Sequence, residues 1–231
     1  MKIIKTNCIV LKKKEMKEAD LLVTLFSKEY GKIMATAYGI RKSRKRNVVS
    51  LNPLNEVEIM LSQKNNFYVV QDVEILKNFK NILKNIEKLE ISLYVLDSID
   101  KIYYITDENG DFFDKLLEIL SFIDILPYMK RGYKYYVVLS FLRRIMIEQG
   151  IYDIEEISLI MEKEKKENLQ KYKEILKIVR NSSDILNTQQ KLEDYADFLR
   201  RMVIIFENFI NKNLQVEIKI RKFIMEEFYG R

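Results

Sequence analysis

Near residue 78 the apolar pattern of this chain changes period, and no single sheet or bundle accommodates both halves of such a pattern. Before that point apolar residues alternate. Residues 3–11 place Ile4, Thr6, Cys8 and Val10 on one face and Ile3, Lys5, Asn7, Ile9 and Leu11 on the other. Residues 21–28 form a second β-branched and aromatic run, Glu29-Tyr30-Gly31 a tight turn, and 32–38 a third run, so the two runs read as a hairpin. After Pro53, residues 54–62 alternate again, and Gln63-Lys64-Asn65-Asn66 turns the chain into Phe67-Tyr68-Val69-Val70. Five short strands in so little chain fit a small closed barrel, which removes exposed edges. An OB-fold is the economical choice.

Beyond residue 78 the spacing is three to four. Phe79, Ile82, Ile86, Leu89, Leu93, Leu96 and Ile99 line a long helix toward Tyr103, and Phe112 to Ile123 give another that stops near Pro127. Tyr133 to Ile145 form a third, ending near Gly150. Residues 153–191 are more polar and hold one or two shorter helices with a turn around Asn181-Ser182-Ser183-Asp184. Tyr195 to Phe209 make a strongly amphipathic helix, and Val216 to Phe228 a last one. The tyrosine and phenylalanine stripes recur at helical spacing and so belong to a core. The expected architecture is α+β: a five-stranded OB-fold barrel over residues 1–76, followed by an all-α helical domain over 77–231.

Charge is divided along the same line. Residues 1–75 carry 14 Lys and Arg against 8 Asp and Glu, and residues 76–231 carry 26 of each, so the net +6 is N-terminal. A barrel that holds the whole basic surplus has the electrostatic footprint of a nucleic-acid or anionic-surface binder. The surplus is concentrated after the third strand, where Ala37-Tyr38-Gly39-Ile40 runs into Arg41, Lys42, Arg44, Lys45 and Arg46. Self-repulsion among five close cations opposes burial, so the segment is expected to be solvated until an anion neutralises it. Lys12, Lys13 and Lys14 form a second cluster, and Lys32 lies on the third strand. These nine cations are the candidate contacts to nucleic-acid phosphates. Tyr38 is either a stacking surface for a base or a barrel residue. The basic run also admits a reading as a merely solubilising loop.

Several chemistries are excluded or disfavoured. With no histidine and one cysteine the chain has neither the usual zinc ligands nor a Ser-His or Cys-His nucleophile pair, and no internal disulfide. Cys8 is expected to pack in its strand. The six glycines are far apart and form no phosphate cradle. Acidic clusters such as Asp107-Glu108 with Asp111 and Asp114, or Glu155-Glu156, read as solvated helix starts rather than magnesium ligands. The expectation is therefore no catalytic residue, no metal and no cofactor. Without a membrane-spanning run or a signal peptide, a cytoplasmic location, in association with the nucleoid, is expected.

The opening "TNCIVLKKKEMKEADLLVTLFSKEYGKIMATAYGIRKS" resembles the start of the bacterial DNA repair and recombination mediator family RecO. The shared pattern is an apolar strand, basic residues, Glu18-Ala19-Asp20, Leu22 to Phe26, a hairpin glycine at 31, and Gly39 followed by Arg41 and Lys42. The stretch "FLRRMVIIFENFINKNLQVEIKIRKFIMEEF" is similar to that family's closing helices, with Arg221 and Phe223 at its Arg-x-Phe pattern. The resemblance implies binding of single- and double-stranded DNA, annealing of complementary strands, and loading of recombinase onto strands coated by the single-stranded DNA-binding protein, with RecR as partner. Many members carry a four-cysteine zinc ribbon in the helical domain. Here the region around 150–165 has no cysteine, so no metal is carried over. For the acidic C-terminal tail of the single-stranded DNA-binding protein, Arg143 and Arg144 are the candidates. Two other classes stay open: an OB-fold RNA-binding protein, and a helical protein-protein adaptor. A metal-dependent nuclease using Asp111 or Asp114 is more distant.

Overall fold

A strand that is apolar on both faces has to be covered on both, and the first strand shows how this chain does it. In the computed structural model, which describes residues 2–43, 47–64, 67–105, 110–164, 167–182 and 184–224, β1 runs Lys2–Met16, β2 Asp20–Ser27, β3 Gly31–Ala37, β4 Glu56–Lys64 and β5 Phe67–Lys77. One half of β1 pairs antiparallel with β4 (Ile4↔Leu61, Cys8↔Val57) and the other with β2 (Cys8↔Ser27, Lys14↔Leu22). β2 pairs with β3, β4 with β5, and β3 meets β5 in parallel at Ala35↔Tyr68 and Thr36↔Val69. The order β1-β2-β3-β5-β4 closes back on β1, which is the expected five-stranded OB barrel.

Inward-facing Ile4, Cys8, Val10, Val23, Leu25, Ile33, Ile59 and Leu61 fill the barrel. Cys8 has no solvent exposure, and burial pushes its thiol far above the ordinary range, so it packs as an apolar residue rather than a nucleophile. Two strands are longer than their sequence pattern suggests. Lys12–Met16, expected as a charged connection, continues β1 because it pairs along Asp20–Thr24, and β5 extends to Lys77 along β4.

Part of the outer face is covered by α1 (Lys80–Leu83), α2 (Ile86–Ile102) and α3 (Gly110–Ile125). Outward-facing Phe26 meets Tyr103 and Phe112 at ring-centroid distances of 5.2 Å and 6.4 Å, both edge-on. The expected single helix toward Tyr103 is broken at Asn85, which is extended and accepts the Lys88 N–H as the N-cap of α2. Asp124 accepts from the N–H groups of Asn81 and Ile82 at 2.9 and 3.0 Å and so caps α1. The strand pattern ends at 77, but the first compact unit extends through Ile125 and the second comprises Leu126–Arg231. Helices α1 to α3 thus belong with the barrel.

The second unit contains α4 (Arg131–Glu148), α5 (Ile154–Glu164), α6 (Asn168–Arg180), α7 (Ile185–Glu193) and α8 (Ala196–Leu214). Residues 153–191 hold three helices where one or two were expected. Asp184 caps α7, accepting from Leu186 and Asn187 N–H, and Gln189, fully buried, ties Tyr128 O and Lys130 N to that helix. The helix expected from Val216 is not formed over the described residues. Gln215 adopts φ 55°, which ends α8. Asn211 then exchanges two hydrogen bonds with the backbone of Ile218, and buried Glu207 accepts from Ile220 N–H at 2.6 Å. The β-branched alternation Val216, Ile218, Ile220 suits that extended return better than a helix, leaving only a short 3-10 turn at Ile220–Lys222. Residues 225–228 of the expected helix lie outside the described residues.

At the start of α4, Gly132 lies against α7 so closely that a Cβ there would stand 2.0 Å from the carbonyl oxygen of Leu192. Backbone cannot yield as a flexible side chain does. Gly132→Ala is expected to destabilise the second unit by about 1–3 kcal/mol, the cost of overpacking, as a lowered denaturation midpoint in urea with α-helical circular dichroism as the probe.

Candidate nucleic-acid interface

The β1-β2 hairpin extends beyond the helix-covered part of the barrel, and residues 12–16 of β1 are exposed along their length. Next to it β3 ends and Gly39, at φ 63°, turns the chain into a 3-10 turn over Ile40–Lys42. That left-handed conformation suits glycine. The turn is joined to the hairpin by two bonds: Gly39 N–H donates to Asp20 Oδ1 at 2.8 Å, and Arg41 N–H to the carbonyl of Ala19 at 3.1 Å. Ile40 is buried in the barrel core. The chain returns through a second 3-10 turn, Val48–Leu51, capped by the Asn47 side chain, and Leu51 is buried in the same core. Both ends of the basic segment are thus anchored.

The anchoring changes the expected electrostatics. Arg41 Nη1 lies 3.0 Å from Glu15 Oε2 and Lys42 Nζ 2.9 Å from Glu18 Oε2, so the first two cations are paired with carboxylates of the neighbouring hairpin while remaining in contact with solvent. Arg44, Lys45 and Arg46 lie outside the described residues. The roles of Glu15, Glu18 and Asp20 in holding this loop do not emerge from sequence pattern. Their one visible signal is that three acids sit on the connection preceding the strand pair that leads to Gly39.

The remaining candidates separate into two groups. Lys12 and Lys32 both pair with Asp100 of α2, Lys32 at 3.1 Å and also through the Asp100 carbonyl. With its side chain only 13% exposed, Lys32 is a strut between β3 and α2. Lys13 donates to Asn52 Oδ1 at 2.6 Å. Lys14 is exposed on β1.

The pairing register places Lys14 on a specific surface. Its outward row runs from Lys14 to Leu22, Thr36, Val69, Ser62 and Ile3, back on β1 eleven positions earlier, the stagger of a tilted closed barrel. Beside this row Met34 is exposed, Tyr38 is 55% exposed just past β3, and Phe67 is 76% exposed at the start of β5. Tyr38 is therefore a surface residue. Phe67 was missed in the sequence, although inward Tyr68 and Val70 imply that Phe67 and Val69 face out. The open face of β2, β3 and β5 thus offers apolar and aromatic side chains beside a basic hairpin. Phosphates and unstacked bases are the ligand parts that match such a surface.

Two further expectations concern other parts of the chain. Asp114 pairs with Lys28 at 2.9 Å, whereas Asp107, Glu108 and the side chain of Asp111 lie outside what the structure describes. On α4 of the second unit, Arg144 pairs with Glu148 at 3.3 Å and Arg143 lies over the ring of Tyr152 at 5.3 Å. Among the described residues no helix is long and apolar enough to cross a membrane.

Residues 1–79, which take in the whole barrel, match the family model described as "Recombination protein O N terminal". The barrel is thus similar to the N-terminal domain of recombination protein O. Proteins named "DNA repair protein RecO" resemble the chain beyond this domain. That of Caldanaerobacter subterraneus subsp. tengcongensis is 34% identical over 102 residues, 44% of this chain and 41% of the relative. That of Thermoanaerobacter sp. is 35% identical over the same length and shares. That of Syntrophus aciditrophicus is 29% identical over 122 residues, 52% of this chain and 47% of the relative. The matches span less than half the length of these curated relatives. Asp100, on the helix α2 that follows this barrel, holds two of the nine candidate cations.

Replacing Asp100 with asparagine leaves the largely buried Lys32 ammonium without its countercharge. Asp100→Asn is expected to destabilise the first unit by about 1–3 kcal/mol, and Lys12→Ala, which removes an exposed partner, by less than about 1 kcal/mol. Urea denaturation of each variant by linear extrapolation measures the difference.

Proposed function

We propose that this protein binds DNA in repair and homologous recombination, with the open barrel face as its nucleic-acid site. The observation that carries this reading is the exposure of Met34, Tyr38 and Phe67 around the partly exposed Leu22, beside Lys14, Arg41 and Lys42, on a barrel that matches the recombination protein O N-terminal family model. The cations neutralise phosphates and release counterions, giving sequence-independent affinity that falls with salt. Lys12 and Lys13, also on the hairpin, add to the field. Lys32 contributes through its hold on Asp100. Tyr38 and Phe67 give bases a surface on which to stack, which favours a single strand whose bases are already free.

The same chemistry supports annealing, because cations that screen two strands from each other lower the repulsion opposing their pairing. The finer parts of the proposal are recombinase loading onto strands coated by the single-stranded DNA-binding protein, with RecR and the acidic tail of that protein as partners. These rest on the family alone. Arg143 and Arg144 in the second unit are the residues proposed to meet the acidic tail.

Anisotropy of a labelled single-stranded oligonucleotide against salt tests the site. Changing residues 41, 42, 44, 45 and 46 together to alanine is expected to weaken binding and flatten the log-log salt slope by about 0.7 for each phosphate that is no longer neutralised. Phe67→Ala is expected to weaken binding by roughly 5- to 150-fold, corresponding to about 1–3 kcal/mol of stacking, with the slope unchanged. Unaltered binding by both variants would place the site elsewhere. A preference for RNA over DNA of equal length would instead favour an RNA-binding role through the 2′-hydroxyl.

A further inference from the structure

We propose that Glu15 and Glu18 act as internal phosphate mimics, occupying Arg41 and Lys42 in the free protein so that a strand has to displace two carboxylates before its phosphates reach those cations. This rests on the reading of the barrel face as a DNA site. Three observations support it. First, Lys42 Nζ donates a charge-assisted hydrogen bond to Glu18 Oε2 at 2.9 Å, and Arg41 Nη1 forms an ion pair with Glu15 Oε2 at 3.0 Å. A phosphate oxygen bound to either cation would take the carboxylate's place.

Second, the pairs are not needed to shape the loop. The backbone of the turn that carries the two cations is held independently by Asp20 on Gly39 N–H, by Ala19 O on Arg41 N–H, and by Ile40 in the core, and the returning chain by Leu51 in the same core. Asp20 thus has a structural part, while Glu15 and Glu18 hold side chains only. Third, the carboxylates are in open water. The Glu15 side chain is 68% exposed and that of Glu18 88%, so each pair is weak, screened by salt, and free to open without disturbing the barrel.

The consequence is a limit on affinity. Binding exchanges one anion for another at two positions, so the net number of phosphates neutralised is lower than the cation count suggests. Strands therefore leave faster than they would from a bare basic loop, as suits a protein that pairs strands and passes them on.

A thermodynamic cycle on the full chain tests the proposal. It compares the parent, Glu15→Gln/Glu18→Gln, Arg41→Ala/Lys42→Ala and the four-residue combination. Glu87→Gln/Glu118→Gln, on α2 and α3, supplies the same change of net charge elsewhere in the unit. Affinity for a labelled oligothymidylate is read by anisotropy, and retention on a heparin matrix is read in parallel.

Beyond the charge-matched control, the Glu15/Glu18 variant is expected to bind roughly 2- to 30-fold more tightly, the range for two exposed ion pairs. Its salt slope should be steeper by up to about 1.4, for two phosphates newly neutralised. In the Arg41→Ala/Lys42→Ala background the gain should vanish. A gain no larger than the control's, or one that persists without Arg41 and Lys42, would overturn the proposal. If the parent binds no oligonucleotide, the DNA reading fails, and the heparin cycle still decides whether the two carboxylates compete for those cations.

Discussion

The structure depends on β1 being shared between two partners. Its N-terminal half pairs with β4 and its C-terminal half with β2, so one strand closes the barrel and then continues past it as an arm of the hairpin. Closure leaves no edge in the sheet and fixes the register of every outward row. The irregularity between Val10 and Lys12 marks the change of role. Before it the outward Ile9 is buried, and after it the side chains from Lys12 to Met16 face solvent. The cations of the hairpin and the covered face of the barrel are thus two parts of one strand, separated by a bulge.

From that register follows the division of the outer surface. Where Phe26 faces out, α2 and α3 bring Tyr103 and Phe112 over it, and this part of the barrel is core. Thr24 lies between the two regions and is almost fully buried, while its neighbour Met34 is exposed. Past this line, among the described residues of the first unit, Met34 and Phe67 are exposed rather than covered. Asp100 lies at the border, holding a cation from β1 and one from β3, so the helix that covers one region also fixes lysines beside the other. This is why the first three helices form one unit with the barrel, although the hydrophobic period changes at the end of β5.

Period and charge were enough to read the barrel, its five strands, the helical character of the rest and the concentration of cations after β3. They missed features set by partners distant in sequence. Lys12 to Met16 read as a linker because a run of lysines has no alternation, and only its pairing with Asp20–Thr24 makes it strand. Val216 to Ile220 fell in a stretch with helical spacing, yet Asn211 and Glu207 bind its backbone and draw it out of helix. Likewise the loop's cations were legible as a cluster, but not the carboxylates that meet them. Glu15 and Glu18 are 26 and 24 residues from their partners, a proximity that depends on where the hairpin lies beside β3.

That proximity bears on how a basic loop works. Cations left alone would repel one another and bind any anion, and cations buried in strong pairs would be closed to a ligand. Here the backbone is held by glycine geometry, two hydrogen bonds and two apolar anchors, while the charges are held by contacts worth about 1 kcal/mol or less each. The two sets of forces act on different atoms. A ligand can therefore take over Arg41 and Lys42 while Ile40 and Leu51 stay in the core, and the cations return to Glu15 and Glu18 when it leaves. Separating the forces that place the Gly39–Lys42 turn from those that occupy its charges lets the two cations be positioned before binding and exchangeable after it.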